Sequence, residues 1–159
     1  MKKLCPIRDL ATYALLFVIT LFSHQAMSDE LSSLEASLLT AWIQQPELRD
    51  DISTVYWASV EQQLSEVKET LPLEVNDFAV IIDITLVNKT TTYFIIVSAD
   101  MVQHIPKKKF IVDHMCSGKQ TALYLTIFDG SIKYIHYKEG QREAYSIMSI
   151  TGADCGSGI

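Results

Sequence analysis

The sequence is poor in basic residues, and this limits the partners that we expect. Of its 159 residues, 13 are lysine or arginine and 19 are aspartate or glutamate, so the formal net charge is −6. An acidic surface repels the phosphates of nucleic acids and the headgroups of anionic lipids. Neither is therefore expected to be the main partner, and the length allows one domain.

The sequence also lacks a hydrophobic run of the roughly 20 residues that a transmembrane helix needs. Its main apolar run covers residues 10–22, with lysines and an arginine before it and the small residues Ala26 and Ser28 after it. This arrangement predicts a signal peptide over residues 1–28 that is cleaved before Asp29, with no stable membrane insertion afterwards. The remaining chain has 10 basic and 18 acidic residues, a net charge of −8.

Cysteine is scarce, with three residues in the chain. Cys5 precedes the apolar run and is lost with the signal peptide, and no small-residue box ending in cysteine follows that run, so lipid modification is not expected. Cys116 and Cys155 remain. Two cysteines in an exported protein predict one disulfide. With about 40 residues between them, such a bond stabilises the fold by about 4 kcal/mol on the chain-entropy model.

Known catalytic motifs are missing as well. The sequence contains no phosphate-binding glycine loop, serine elbow or paired catalytic carboxylate motif. His114 lies two residues before Cys116, and residues at this spacing do not face each other on a helix. His104, His114 and His136 lack the i, i+4 spacing of paired metal ligands. We therefore predict no catalytic residue, no metal site and no cofactor.

Two amphipathic helices are predicted in the first half of the exported chain. Apolar residues recur at spacings of three and four over residues 29–45 and again over residues 50–71. Pro46 interrupts the first helix and Pro72 ends the second. The pattern fits a helical hairpin that covers a sheet, and it fits equally an arm that projects towards a partner.

The period then changes from 3.6 to 2. Residues 78–87 alternate between two faces, and residues 90–98 are rich in β-branched and aromatic side chains, so we predict a hairpin with its turn at Asn88-Lys89. Residues 131–138 and 143–151 are predicted as two further strands. The alternation leaves open which face of the strand over 131–138 is buried, that of Ile132, Tyr134 and His136 or that of Ile135 and Tyr137.

Between the two strand pairs, Pro106 is predicted at the first position of a helix that runs to His114 or Ser117, with Gly118 as a left-handed stop. Lysines occupy positions 107–109, where the helix dipole disfavours cations. They are interpreted as a solvated first turn, or alternatively as a site for an anionic partner.

Residues 121–128 fit two structures. They fit a strand that enters a hairpin at Asp129-Gly130, and they fit a two-turn helix that stops at Gly130. The residues themselves do not decide between the two.

The second half combines a strand hairpin, a helix that ends in cysteine, and a glycine about a dozen residues later. A strand with alternating aromatics, a glycine turn and a last strand ending in Asp-Cys follow. These features are residues 78–98, Cys116, Gly130, residues 134–137, Gly140, Asp154 and Cys155. Over residues 71–155 the chain therefore resembles a family of small exported bacterial proteins that includes the β-type pilotins of type II secretion.

The resemblance implies a helix over residues 121–129 and a Cys116–Cys155 disulfide that ties a helix to the end of the last strand. The predicted fold is α+β: an N-terminal helical hairpin, then a four-stranded antiparallel sheet in the order ββ-αα-ββ, with helices packed on it and one disulfide. The predicted regions are a helical region over residues 29–71 and a pilotin-like α+β domain over residues 72–159.

For function, the resemblance and the missing catalytic motifs together predict a non-enzymatic interaction protein of the periplasm, an accessory factor in secretion or envelope assembly. Its expected partner is a protein client such as a secretin segment, bound by helix-in-groove docking or by addition to a sheet edge. The alternative hypothesis is a secreted effector or inhibitor that acts outside the cell.

Overall fold

The structure is a computed structural model, and it describes residues 31–156. The predicted signal peptide over residues 1–28 lies outside the described residues. The helices are α1 (Ser33–Gln44), α2 (Arg49–Lys68), α3 (Lys108–Met115) and α4 (Lys119–Ala122). The strands are β1 (Leu73–Asn76), β2 (Ala79–Val87), β3 (Thr90–Val97), β4 (Ser131–Lys138) and β5 (Ala144–Thr151).

Helix α1 begins with a reciprocal cap. The backbone N–H of Glu35 donates to the Ser32 hydroxyl at 3.2 Å, and the backbone N–H of Ser32 donates to the Glu35 carboxylate at 2.9 Å. This capping box satisfies amide groups that lack a partner within the helix. A short 3₁₀ turn over Pro46–Leu48 then leads into α2, as expected from the proline.

Helices α1 and α2 form a hairpin that packs on the sheet. The buried face of α2 carries Ile52, Tyr56, Val60 and Leu64. The Tyr56 ring stacks on Phe128 with 3.8 Å between ring centroids, and Trp42 of α1 meets the same phenyl ring edge-on at 5.2 Å. The two helices therefore belong to the core, and of the two alternatives left open by the sequence the covering hairpin is the one observed.

The strands form a single five-stranded sheet in the order β1-β2-β3-β4-β5. The α+β class and the β2–β3 hairpin are confirmed. Asn88 and Lys89 between these strands have φ of 49° and 62°, and two successive left-handed residues give the turn a twist that matches the strands.

The prediction of four antiparallel strands was wrong in two respects. First, β1 pairs with β2 as a fifth strand; its four residues are too few for a clear alternation in the sequence. Second, β3 and β4 run parallel. Parallel neighbours need a crossover of a dozen or more residues, and the helical segment between Val97 and Ser131 provides it.

The first crossover helix ends within the predicted range, but Pro106 as its first residue and Gly118 as a left-handed stop were wrong. Lys107 is the N-cap of α3, so Pro106 lies outside the helix. Gly118 has φ of −83° and precedes α4. The amides of Ser117 and Gly118 donate to the carbonyls of His114 and Met115. Such i to i−3 bonds close the helix end without a left-handed residue.

The segment over residues 121–128 is helical, as the resemblance implied. Helix α4 continues into a π-helical turn over Leu123–Ile127, whose Tyr124 hydroxyl lies 2.7 Å from the Thr91 hydroxyl of β3. Asp129 after this turn is left-handed, with φ of 56°. Gly130 is needed because a Cβ there would lie 2.5 Å from the Tyr124 ring.

Candidate interaction surface

The helices pack on one face of the sheet, and within residues 31–156 no helix lies on the other face. Alternation along β4 buries Ile132, Tyr134 and His136 and turns Ile135 and Tyr137 to the opposite side. This settles which face of β4 belongs to the core. In β3, Thr91, Tyr93, Ile95 and Val97 are buried in the same way.

The uncovered side carries two rows of apolar residues, each in register across three strands. Phe94, Ile135 and Ile147 form one row, because Phe94 pairs with Ile135 and Ile135 with Ile147. Val80, Ile96 and Tyr137 form the next row. We call these six residues the open face. Ile147 is 60% exposed, so the open face is most accessible at its β5 end.

Strand β5 lies at an edge of the sheet and carries few of the features that usually protect an edge strand from pairing. Its eight residues, AYSIMSIT, include no charge and no proline. Edge strands in natural proteins are commonly protected by charged residues, proline or bulges. Here a register shift between His136 and Tyr137 leaves Tyr145 as an extra residue opposite β4, and within residues 31–156 no strand pairs with the outer side of β5.

The direction of the β5 backbone follows from one hydrogen bond. The amide of Thr151 donates to the Asp154 carboxylate at 2.9 Å, so it points away from β4. In an antiparallel pair, successive residues alternate between bonding the partner strand and pointing outward. The backbone groups of Ser149 and Ile147 therefore also point to the outer edge.

Two tethers hold the end of β5. Asp154 accepts from Lys108 Nζ at 2.7 Å, and this hydrogen bond lowers the pKa of the Asp154 carboxyl. Next to it, Cys155 is bonded to Cys116 with an S–S distance of 2.06 Å and a Cα–Cα distance of 5.3 Å. Together they join the short 3₁₀ turn after β5 to both ends of α3.

The lysine cluster at 107–109 mostly neutralises carboxylates of the protein itself. Lys108 pairs with Asp154, and Lys109 Nζ lies 2.8 Å from Asp113, one helical turn further along α3. Two of the three cations thus have an internal partner, which favours the interpretation as a solvated helical turn over an anion site.

The histidines singled out in the sequence do not come together. His104 and His114 are exposed, and Cys116 beside His114 is engaged in the disulfide. His136 is buried, and burial lowers its pKa from 6.5 to about 4. In the described part of the chain, no three His, Cys, Asp or Glu side chains are grouped so that they could hold a metal ion.

A small cavity lies under α1, and the sequence offered no sign of it. Gln120 Nε2 donates to the buried Glu35 carboxylate at 2.9 Å, and Tyr56 and Tyr124 line the same space. The cavity measures about 20 Å³, which is room for one water molecule. It is too small for an organic ligand.

The open face and the β5 edge were only partly visible in the sequence. The strands and their alternation could be predicted, but the position of β5 at an edge depends on long-range pairing. The available signal was the absence of charge over residues 144–151. Across the described residues, no helix is both long and apolar enough to span a bilayer.

No protein-family model and no curated protein sequence matches the chain. Among solved structures, a Pseudomonas aeruginosa protein described as a candidate secreted protein is similar over 79% of this chain and 99% of its own, with a TM-score of 0.53 and 12% identity. This likeness shows a shared fold.

Two type II secretion pilotins are also similar. EpsS from Vibrio vulnificus has a TM-score of 0.47 and 13% identity. AspS from Vibrio cholerae has a TM-score of 0.44 and 16% identity. Each match covers 59% of this chain and 86% of the pilotin. The group of proteins that the sequence resembles is thus represented among the structures similar to this one.

Proposed function

We propose that this protein is a non-enzymatic accessory factor of secretion or envelope assembly, which acts in the periplasm and binds an apolar segment of a protein client on the open face. The observation that carries the proposal is the open face itself. Six large apolar side chains stand in two rows on a side of the sheet that no described helix covers.

The chemistry of the open face favours protein over other ligands. Its six side chains are aliphatic and aromatic, and the residue that extends the Phe94 row in β2 is Asp83, whose carboxylate repels phosphates and other carboxylates. Exposed contiguous apolar surface rimmed by polar residues is typical of sites where proteins dock. Lys133 and Ser149, which pair across β4 and β5, supply such a polar rim beside the Phe94 row.

The rest of the molecule suits a binding role. Packed aromatic rings fill the core under the sheet, and the disulfide fastens its edge. The cavity under α1 is too small for an organic ligand. The sequence resemblance to β-type pilotins suggests the kind of client, an apolar or amphipathic segment of a secretin. A segment of this kind would lie across the strands with its apolar side against the two rows.

The test is direct binding between the disulfide-bonded protein and the periplasmic region of a secretin from the same organism, measured by calorimetry. Ile135→Thr together with Tyr137→Thr removes apolar area from the open face while keeping strand-forming residues. We expect saturable binding by the native protein and at least a tenfold loss in the double variant.

The matched control is Val55→Thr, at a half-exposed position on α2 that lies away from the sheet surface. It should bind like the native protein. Absence of saturable binding would remove the secretin as client, and equal binding by all three proteins would remove the open face as the site. Accumulation of the native protein in culture medium instead of periplasm would favour an effector or inhibitor.

A further inference from the structure

The unpaired part of the β5 edge is short and bounded at both ends. At its start, the register shift beside Tyr145 interrupts the regular alternation. At its end, the outward amide of Thr151 is already occupied by Asp154. Two residues with outward backbone groups remain between these limits, Ile147 and Ser149. Any strand added here must match these two.

The two outward residues are placed symmetrically about Met148. In an antiparallel pair of identical strands, a two-fold axis at Met148 sets Ile147 of each copy opposite Ser149 of the other. Each such pair exchanges two N–H···O bonds. In this register the outward N–H and C=O groups of Ile147 and Ser149 all have a hydrogen-bond partner. A register centred on Ile147 would pair Ser149 with the irregular Tyr145.

Charge also favours a second copy at this place. Two molecules with a net charge of −6 or more repel each other over most approaches. Strand β5 contributes no charge to either side, so the two copies can meet here without setting like charges opposite each other. On the open face, Ile147, which is 60% exposed, would gain Ser149 of the other copy as a neighbour.

We propose that a second copy of this chain pairs with the β5 edge in antiparallel orientation, with Ile147 of one protomer opposite Ser149 of its partner. The two sheets then form one ten-stranded sheet, and the two open faces join into one apolar surface. This inference does not rest on the proposed function, because the pairing involves no client.

The first test measures self-association by sedimentation velocity over increasing concentrations of the disulfide-bonded protein. Ser149→Pro removes the N–H that the partner needs, and an edge position tolerates proline. Ser149→Ala keeps this N–H and is the matched control. We expect the native protein and Ser149→Ala to dimerise alike, and Ser149→Pro to dimerise at least tenfold more weakly while its far-ultraviolet circular dichroism stays unchanged.

The second test fixes the register. Ile147→Cys and Ser149→Cys are prepared separately, mixed and oxidised. Directly opposed residues come within disulfide reach, whereas like residues of the two copies are offset by two positions, at roughly 7–8 Å. We expect crosslinked dimers in the mixture and none in either variant alone.

Several outcomes would overturn the proposal. A native protein that stays monomeric at all concentrations would show that no second copy pairs with the β5 edge. A dimer that survives Ser149→Pro would place the interface elsewhere. Crosslinking of Ile147→Cys alone would exclude the register centred on Met148.

Discussion

The two edges of the sheet are built differently. Strand β1 has four residues, carries Glu74 at its centre and shifts register between Glu74 and Asn76. Strand β5 has eight residues and no charge, and shifts register only near its start. Short strands, charges and bulges are the usual means of preventing edge pairing. One edge is thus closed to pairing along its length, and the other is closed only at its ends.

The two tethers explain how β5, an edge strand without charge or proline, stays in place. Strand β5 follows β4 through a tight turn, and its far end is attached to α3 by the Lys108–Asp154 ion pair and the Cys116–Cys155 bond. Strand β1 is held by its pairing with β2 and by the packing of Val75 in the core, and no disulfide or ion pair fastens it among the described residues. Fastening the end of an edge strand can thus replace protection along its length.

The largest effect is expected from Cys116→Ser. The bond closes a loop with a sequence separation of 39, and its loss should lower the free energy of unfolding by about 4 kcal/mol on the chain-entropy model. Urea unfolding measures this loss. Hydrogen exchange should rise most in β5 and least in β1.

Non-reducing mass spectrometry is the control for this variant. The native chain should yield a crosslinked peptide pair that contains both cysteines. A native protein with two free thiols, or a variant that loses less than about 1 kcal/mol, would contradict the role given to the tether.

Acid is expected to weaken the β5 side of the sheet through His136, which pairs with Ser146 of β5 and stacks beside Tyr134. Burial lowers the pKa of His136 from 6.5 to about 4, so protonation favours the unfolded chain. This contribution to stability is complete above about pH 6.5 and is lost as the pH falls towards 4. The loss is at most about 3 kcal/mol.

His136→Leu should flatten the dependence of unfolding free energy on pH between 6.5 and 4, measured by urea titrations at several pH values. The comparison is His114→Leu, which replaces an exposed histidine and leaves His136 in place. An identical slope in the native protein and His136→Leu would show that His136 titrates normally in the folded state.

Asp154→Ala should cost about 1 kcal/mol, a typical value for losing a side chain that caps backbone amides. The variant also frees the Thr151 amide and so lengthens the exposed part of the β5 edge. Thermal unfolding measures the cost. Asp113→Ala, which breaks the exposed pair with Lys109, should change stability by less than about 0.5 kcal/mol.

The smallest effect is expected at the opposite edge. Glu74→Thr removes the charge from β1 and makes this edge resemble β5 in composition. Stability should change by no more than about 0.5 kcal/mol, and self-association should stay as in the native protein because the strand remains short. New dimers in this variant would show that charge, and not length, protects the β1 edge.

Local patterns predicted much of the fold. The spacing of apolar residues located α1 and α2, the alternation after Asp77 located the β2–β3 hairpin, and the segment around Tyr124 was placed in a helix by resemblance. The parallel β3–β4 pair and the strand β1 were missed. Both depend on where the crossover returns the chain, which is set by packing between residues far apart in sequence and has no local signature.

The candidate surface likewise combines features that a local sequence pattern predicts with features that depend on long-range contacts. That Ile147 and Ser149 lie on a strand could be predicted from alternation. That their backbone groups point outward depends on the bond between Thr151 and Asp154, and the sequence alone shows neither this bond nor the exposed edge. The alternative faces of β4 were likewise decided by the helices that cover Ile132 and Tyr134.

The parallel join between β3 and β4 also bears on how the chain folds. Its first pair, Thr90 and Ser131, is separated by 41 positions, whereas β2–β3 and β4–β5 are hairpins between consecutive strands. Closing a long loop costs entropy that only later contacts recover. The two hairpins should form first as separate nuclei, and the rate of folding should be set by the step in which the crossover helices bring them side by side.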